Sequence, residues 1–436
     1  MTGRSPPIKL NAVFSAVAFS DSAVSLPAAR QRNEGDKISV LGPQKQSHKV
    51  LTGIFLALFI LVSGILLEGL IVKLPNSRKS ERADERIGVV HVHTKASDGS
   101  GTVSDVMEAA HQANLSFITV TDHNVAITES DLAEDPPDLP ILSGEELSTA
   151  AGHFLALGIP ASWIAPKTKN DRDLLAAAHA VGAFTILAHP FHPHSPWTDW
   201  KTSDFDGMEI WNEDATWRQN NVFDLMVSLL LYGENSQLAL VRLARTPEEN
   251  FAKWDELLEK RPVVGMCGAD THARIRLGFG HDWDFPGYVA SLNVAREHVL
   301  LPQGAGGGDP SLASAAEILN ALKQGHSFCA LDSLYPASGF SFRVSSGGSS
   351  GGPGDFLPWA GPGRVQISVP SGASRPLIEV FRNGREIIDE RTRTLDAPIT
   401  APGRYRTEVF LRQPGLTGWR RWTLWAFTNP VYVTAH

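Results

Sequence analysis

The longest apolar run of the chain lies near its start. Residues 50–72 read VLTGIFLALFILVSGILLEGLIV, and Glu68 is their only charged residue. A run of about 20 apolar residues is typical of a helix that spans a bilayer. A buried core helix is the alternative, but such helices rarely lack a polar face for so long. We predict a transmembrane helix over residues 50–72, and the lack of a clean small-X-small cleavage site favours an uncleaved anchor over a signal peptide.

The residues that flank this span are less informative. Residues 1–49 mix Ser, Ala and Gln with scattered Lys and Arg, a composition that predicts disorder. Lys and Arg flank the span on both sides, so the positive-inside rule does not choose an orientation. Because a single N-terminal span usually serves export, we expect a single-pass membrane protein whose globular part lies outside the cytoplasm.

From residue 87 to residue 277, short apolar runs alternate with helix-like segments. The predicted strands are 87–93, 116–122, 140–147, 153–158, 184–188, 207–211 and 263–270, and the clearest helical patterns are 102–113, 171–181 and 247–260. Continuous apolar strands that alternate with helices predict a parallel sheet covered by helices. The seven units favour an α/β barrel, which we assign to residues 82–335.

The pattern changes toward the C-terminus. The sequence GAGGGD at 304–309 indicates a flexible joint, and a predicted helix, 312–324, follows it. Beyond residue 345, turns rich in Gly, Ser and Pro separate segments of alternating polarity, and Asn383-Gly384 is a strong hairpin signal. We predict a small all-β sandwich over residues 336–436. It carries no catalytic motif, and folding support, substrate restriction and glycan or protein binding all stay open as its role.

Composition and charge limit the possible functions. A length of 436 residues predicts two or three domains, and the net charge of -8 without a Lys/Arg run argues against nucleic-acid binding. The two cysteines, Cys267 and Cys329, lie far apart and form no Cys-X-X-Cys motif, so we expect no disulfide framework. Any metal site must therefore use His, Asp and Glu.

Side chains that can bind metal lie at, in or just after every predicted strand except the sixth. His91 and His93 are separated by one residue, so on a strand both point to the same side. In barrel enzymes the strand ends and the loops after them form the active face. A single histidine is more often a core or surface residue, but nine such residues together predict a metal site: His91, His93, Asp98, His123, Glu145, His153, His189, Asp270 and His272.

The predicted ligands offer only nitrogen and oxygen. Such a set suits Zn, Mn or Fe in a hydrolytic site better than a structural zinc. Nine residues can hold two to three divalent ions, and ions about 3.5–4 Å apart can share a hydroxide nucleophile and stabilise both the attacking and the leaving oxygen. Three divalent cations against three carboxylates leave a positive pocket, which would attract a phosphate ester.

The order of these motifs resembles the polymerase and histidinol phosphatase (PHP) superfamily over roughly residues 87–277. The matching stretches are His91-Val-His93, Ser97-Asp98-Gly99, Thr121-Asp122-His123-Asn124, Gly144-Glu145, Gly152-His153, Ala188-His189-Pro190 and Asp270-Thr-His272. The resemblance implies a distorted (β/α)7 barrel with a trinuclear centre. It also implies a first ion on His91, His93, Glu145 and Asp270, a second on Glu145, His153 and His189, and a third on Asp98, His123 and His272.

The expected function is a metal-dependent hydrolase, in the first place a phosphoesterase acting on a small-molecule phosphate ester. Asp270 is the candidate proton carrier, while Lys95 and Arg274 flank ligands and are candidate substrate contacts. Hydrolysis of a carboxylic ester, carbamate or amide is the alternative enzymatic function, because the same ligands would serve attack on phosphorus or on a carbonyl carbon. A non-catalytic metal-binding interaction module is the alternative outside them. Asp122 and Cys267 alternate away from the predicted ligands, so we leave both out of the site.

Overall fold

The computed structural model describes residues 44–76, 82–132, 139–276, 282–309, 313–415 and 421–435. Residues 1–43 of the predicted disordered segment therefore lie outside the described residues. The helices are α1 (Gln44–Ile71), α2 (Val103–Gln112), α3 (Glu129–Leu132), α4 (Asp171–Ala180), α5 (Glu213–Arg218), α6 (Val222–Tyr232), α7 (Ser236–Leu243), α8 (Glu248–Leu258), α9 (Tyr288–Ser291) and α10 (Ala315–Lys323), with a 3₁₀ turn at Ala305–Gly308.

The strands fall into three sheets. They are β1 (Glu85–Val89), β2 (Phe117–Val120), β3 (Ile141–Ser148), β4 (His153–Leu157), β5 (Phe184–Leu187), β6 (Gly207–Asn212), β7 (Val264–Gly268), β8 (Ile275–Arg276), β9 (Asp282–Trp283), β10 (Arg296–Leu300), β11 (Ser327–Ala330), β12 (Ser341–Ser346), β13 (Ser349–Gly351), β14 (Phe356–Pro358), β15 (Gly363–Ser368), β16 (Leu377–Arg382), β17 (Arg385–Glu390), β18 (Thr394–Ile399), β19 (Gly403–Arg412), β20 (Trp422–Thr428) and β21 (Val431–Thr434).

The largest sheet places β1 to β7 side by side in chain order. The pairs β1–β2, β2–β3, β5–β6 and β6–β7 are parallel, which confirms a mixed α/β chain with a sheet rich in parallel pairs. The predicted parallel arrangement is interrupted at β4, which runs antiparallel to both β3 and β5. The physical reason is the short β3–β4 connection over residues 149–152, since a parallel crossover needs a dozen residues or more.

Backbone hydrogen bonds also join the C-terminal ends of β7 and β1. The Ala269 N–H donates to the Val90 carbonyl at 2.9 Å, and the His93 N–H donates to the Thr271 carbonyl at 3.0 Å. The two segments that carry His91, His93, Asp270 and His272 therefore lie next to each other. The closed barrel implied by the family resemblance stays a prediction.

The sheet continues into the C-terminal part of the chain. Strands β10 and β11 run antiparallel on the other side of β1, and β11 pairs with β20. A second, four-stranded sheet has the order β13-β12-β15-β18. Buried residues of both sheets, among them Val344, Ile367, Val409 and Phe427, belong to one hydrophobic cluster. The domain boundary at residue 335 and the sandwich architecture stay predictions.

A disulfide joins Cys267 on β7 to Cys329 on β11, with 5.8 Å between their Cα atoms. No disulfide was expected from the sequence, because the two cysteines are 62 residues apart and nothing in their spacing links them. The bond connects the strand that leads into Asp270 to the strand that pairs with the C-terminal part.

The Glu297 carboxyl group lies beside this disulfide and is fully buried. It accepts hydrogen bonds from the Ser327 hydroxyl at 2.6 Å and the Cys267 N–H at 3.2 Å, but burial raises its pKa to about 7. The unfolded chain, with a pKa near 4.5, therefore loses the proton first as the pH rises. The native state loses stability between about pH 4.5 and pH 7 as a result.

We expect Glu297→Gln to remove this loss, because the amide keeps the shape of the side chain and carries no charge. Relative to wild type, the variant should gain up to about 3 kcal/mol in the free energy of unfolding on going from pH 5 to pH 8. Denaturant unfolding at both pH values measures this difference. A difference between the two proteins that stays the same at both pH values would contradict the prediction.

Candidate metal centre

Five imidazole rings surround the carboxylate of Glu146, which projects from β3 and is 0% exposed. Each ring has a nitrogen within 3.2 Å of one of the two carboxylate oxygens. Oε2 is 3.2 Å from His91 Nε2, 3.2 Å from His93 Nε2 and 3.0 Å from His123 Nδ1, and Oε1 is 2.8 Å from His153 Nδ1 and 3.1 Å from His189 Nε2. Strands β1, β2, β4 and β5, or the residues just after them, therefore bring their histidines to the Glu146 carboxylate on β3.

The sequence predicts Glu145 at this position, whereas in the structure Glu146 faces the histidines. Successive residues of a strand point to opposite faces, so only one of the two carboxylates can face the histidines. Burial without a charged partner raises the pKa of Glu145 to about 7. Burial would also raise the pKa of Glu146, but His91, His153 and His189 outweigh it and hold this pKa well below its ordinary value.

Two further acidic groups complete the cluster. The Asp270 Oδ1 atom lies 3.4 Å from His91 Nε2 and 3.3 Å from His93 Nε2. The Asp98 Oδ1 atom lies 3.2 Å from His272 Nε2 and within 4 Å of nitrogens of His93 and His123. The structure therefore brings together eight of the nine predicted ligands: His91, His93, Asp98, His123, His153, His189, Asp270 and His272.

Three of these residues have strained backbone conformations. The φ angles of His91, His189 and Asp270 are 71°, 30° and 50°, in a region that residues with a side chain rarely adopt. Each such residue costs of order 1–3 kcal/mol, and such strain is concentrated at functional sites. Each of the three residues lies two positions beyond the end of a strand. The positive φ angle there turns the backbone so that the side chain points toward the cluster.

The hydrogen bonds behind the rings fix which nitrogen faces the cluster. The His272 Nδ1–H donates to the Asp270 carbonyl at 3.0 Å, because a carbonyl oxygen can only accept. The His91 Nδ1 atom lies 2.7 Å from the buried Glu209 carboxylate, which likewise accepts the hydrogen bond from Nδ1–H. In the neutral rings, both Nε2 atoms therefore carry the lone pair and face the cluster, which is the arrangement found around metal-binding histidines.

Several of the facing atoms have no hydrogen-bond partner within the described ranges. They include His91 Nε2, His93 Nε2, His123 Nδ1 and Glu146 Oε2, all of them buried. Buried polar atoms are almost always satisfied, and a ring nitrogen that faces a carboxylate oxygen needs a proton or a metal ion between the two atoms. The donor atoms therefore fit divalent metal ions. Four overlapping groups of three or four ligands can each hold one.

The pKa values of two of the rings reflect the negative charge of the neighbouring carboxylates. Burial would lower the pKa of His189 and His272, but Glu146 and Asp270 act on the first and Asp98 and Asp270 on the second. These carboxylates raise both pKa values to about 9. The pocket thus attracts positive charge, as a site for cations requires.

Glu209 is a further buried carboxylate of the site, and it lies on β6, the one predicted barrel strand without a predicted ligand. This carboxylate is fully buried on β6 and, besides His91, accepts the His189 N–H at 2.7 Å and the Asn212 side-chain amide at 2.8 Å. Gly268 lies so close to Glu209 Oε1 that a Cβ atom there would collide with it. A single acidic residue inside the apolar run GMEIW was the available signal.

We expect Glu209→Gln to weaken metal binding by about 10- to 100-fold, the usual cost of losing a carboxylate behind a metal-binding histidine. Isothermal titration with Mn²⁺ and with Zn²⁺ measures the affinity directly. Glu297→Gln is the matched control, since it neutralises another fully buried glutamate away from the cluster. Equal affinities in the two variants would contradict an orienting role for Glu209.

Asp122 stabilises the loop that carries Asp98. Its Oδ1 accepts the Thr94 N–H at 2.8 Å and the Ser97 hydroxyl at 2.5 Å, and its Oδ2 accepts the Thr94 hydroxyl at 2.6 Å. This agrees with leaving it out of the ligand set.

Lys95 in the same loop is exposed, and Arg274 is half-buried two residues beyond His272. Their contact with a substrate anion stays a prediction.

His192 lies at the edge of the cluster, with its ring centre 5.1 Å from that of His189. Its Nδ1 accepts the backbone N–H groups of His194 and Ser195, both at 3.1 Å. The proton is therefore on Nε2, which lies 3.2 Å from the Asp214 carboxylate. Arg218 forms an ion pair with the same carboxylate. This His192–Asp214–Arg218 group was not predicted from the sequence.

Comparisons with known proteins give only distant similarities. Neither a protein-family model nor a curated protein matches the chain. A two-domain protein from Bacteroides vulgatus, which contains a domain predicted to be a PHP-like metal-dependent phosphoesterase, is similar over 81% of this chain and 98% of its own, with 12% identity and a TM-score of 0.40. An amidohydrolase from Chromobacterium violaceum is similar over 46% of this chain and 92% of its own, with 14% identity and a TM-score of 0.28. These identities are too low to bear on activity.

Proposed function

We propose that this protein is a metal-dependent hydrolase of the PHP superfamily, acting as a phosphoesterase on small-molecule phosphate esters and anchored to a membrane by α1. The observation that carries the proposal is the convergence of five imidazoles on the Glu146 carboxylate. The order of the ligand motifs along the chain and the strain at His91, His189 and Asp270 support it.

The ligands divide into three sets that would hold two to three ions. As the family resemblance implies, with Glu146 in place of Glu145, the first is His91, His93 and Asp270 with Glu146; the second is Glu146, His153 and His189; the third is Asp98, His123 and His272. Nitrogen and oxygen donors favour zinc, manganese or iron. When bound, such ions supply Lewis-acid activation of water and of the ester.

The protein's own groups have separate tasks in this proposal. Glu146 would belong to both of the first two sets. Asp270 would be a ligand and would also accept the proton of the attacking water, since its carboxylate lies beside His91 and His93. Lys95 and Arg274 bind the anionic part of the substrate. The barrel and the C-terminal β-sandwich of the family resemblance belong to the same proposal.

The membrane part of the proposal rests on α1. Residues Val50–Ile71 form a helix long and apolar enough to cross a bilayer. We place the globular part on the extracytoplasmic side, because the Cys267–Cys329 disulfide requires an oxidising compartment to persist.

Metal analysis and hydrolysis by the full-length protein in detergent test the proposal. The assay compares p-nitrophenyl phosphate, bis-p-nitrophenyl phosphate and a 1-naphthyl carboxylic ester. We expect two to three metals per chain and turnover of a phosphate ester that is lost in His91→Ala. Turnover of the carboxylic ester alone would move the assignment to that class of hydrolase. A folded protein that binds metal without any turnover would favour the interaction module.

A further inference from the structure

Helix α6 presents a continuous apolar face to the outside of the molecule. Five side chains on it are largely exposed: Val222 (66%), Phe223 (59%), Met226 (59%), Leu229 (47%) and Leu230 (38%). Their spacing places them along one face of the helix. Large apolar side chains exposed together in this way indicate a binding surface rather than ordinary protein surface.

The opposite face of α6 packs against the C-terminal end of α1. Val227 and Leu231 share a hydrophobic cluster with Ile65 and Val72. Just beyond α6, the Asn235 side-chain amide donates to the carbonyls of Gly69 at 3.2 Å and Val72 at 2.8 Å. These are carbonyls that the end of a helix leaves without a partner in the helix itself. Helix α6 is thus fixed to the last turns of α1.

The position of Glu68 indicates where the contact between α6 and α1 lies relative to the bilayer. Its buried carboxylate lies 3.1 Å from Arg242 Nη1 on α7, so the globular part, and not lipid, surrounds it. The 18 residues from Val50 to Leu67 extend about 27 Å along a helix, close to the roughly 30 Å of a hydrocarbon core. The boundary of the bilayer therefore falls near Glu68, at the level where α6 packs on α1.

We propose that α6 lies in the bilayer interface as a second attachment, with Val222, Phe223, Met226, Leu229 and Leu230 inserted among the lipid acyl chains. This inference rests on the proposed anchoring by α1. Helices with one apolar face bind in the plane of the interface in this way. The second attachment fixes the orientation of the globular part relative to the membrane.

A fluorescent label on α6 tests the insertion in the full-length protein. Met226→Cys and, separately, Phe223→Cys are labelled with an environment-sensitive nitrobenzoxadiazole dye and reconstituted into phosphatidylcholine–phosphatidylglycerol vesicles. The native cysteines are bonded to each other and take no label. We expect blue-shifted emission that is quenched by lipids with a nitroxide on the acyl chain. Ile387→Cys on β17, whose native side chain is 40% exposed, is the control and should show neither effect.

The outcomes separate this inference from the anchor itself. Emission typical of water at both α6 positions, from protein that stays with the vesicles after carbonate extraction, overturns the inference and leaves the anchor intact. A blue shift without nitroxide quenching also overturns it, because the face is then covered by protein, such as a second copy of the chain. Release of the protein by carbonate overturns the proposed anchor and this inference with it.

Discussion

Glu146→Gln is expected to remove metal ions from the centre and to abolish hydrolysis. The side chain faces five histidines, and the amide that replaces it offers only one oxygen and no charge to them. Metal ions contribute several kcal/mol to such reactions, so we expect the rate to fall by about 1,000-fold or more. Metal content by mass spectrometry and turnover of p-nitrophenyl phosphate measure the two losses.

Glu145→Gln is the matched control, since it makes the same chemical change one residue away on the same strand. The Glu145 carboxyl is buried and its pKa is raised to about 7 by burial, so removing its charge costs little. We expect nearly wild-type metal content and activity. The reverse result, with Glu145→Gln inactive and Glu146→Gln active, would restore the ligand assignment made from the sequence.

Replacing both disulfide cysteines, as Cys267→Ala with Cys329→Ala, is expected to lower the free energy of unfolding by about 4 kcal/mol. The bond closes a loop over a sequence separation of 62 residues, and a loop of this length constrains the unfolded chain by roughly that amount. Denaturant unfolding measures the change. Because Asp270 and His272 lie two and four residues beyond the end of β7, the variant should also lose metal at lower denaturant concentrations than wild type.

Wild-type protein treated with a reductant is the control for the substitutions themselves, since it loses the bond and keeps both side chains. Equal unfolding midpoints for oxidised and reduced wild-type protein would contradict the stabilisation. Thiol trapping in intact cells then tests the compartment. Cysteines that are blocked from labelling until reduction support an extracytoplasmic globular part, and free thiols would place it in the cytoplasm.

The sequence by itself determined the features that depend on local pattern. The apolar run at residues 50–72 predicted a membrane-length helix, and the structure has one apolar helix of that length within the described residues. The mixed α/β class followed from the alternation of strands and helices. Eight of the nine predicted ligands meet in one cluster, because residues at the ends of neighbouring strands necessarily come together.

The tertiary structure alone decided which side chains of neighbouring strands face each other. Glu145 and Glu146 differ by one position, and a shift of one residue exchanges the two faces of a strand, so only the pairing of β3 with its neighbours selects Glu146. Glu209 looks like an isolated acid in a buried strand until β6 is placed beside His91. The Cys267–Cys329 bond depends on β7 and β11 meeting across 62 residues of chain. Contacts of this kind are set by the packing of distant segments, and no local pattern in a single sequence records them.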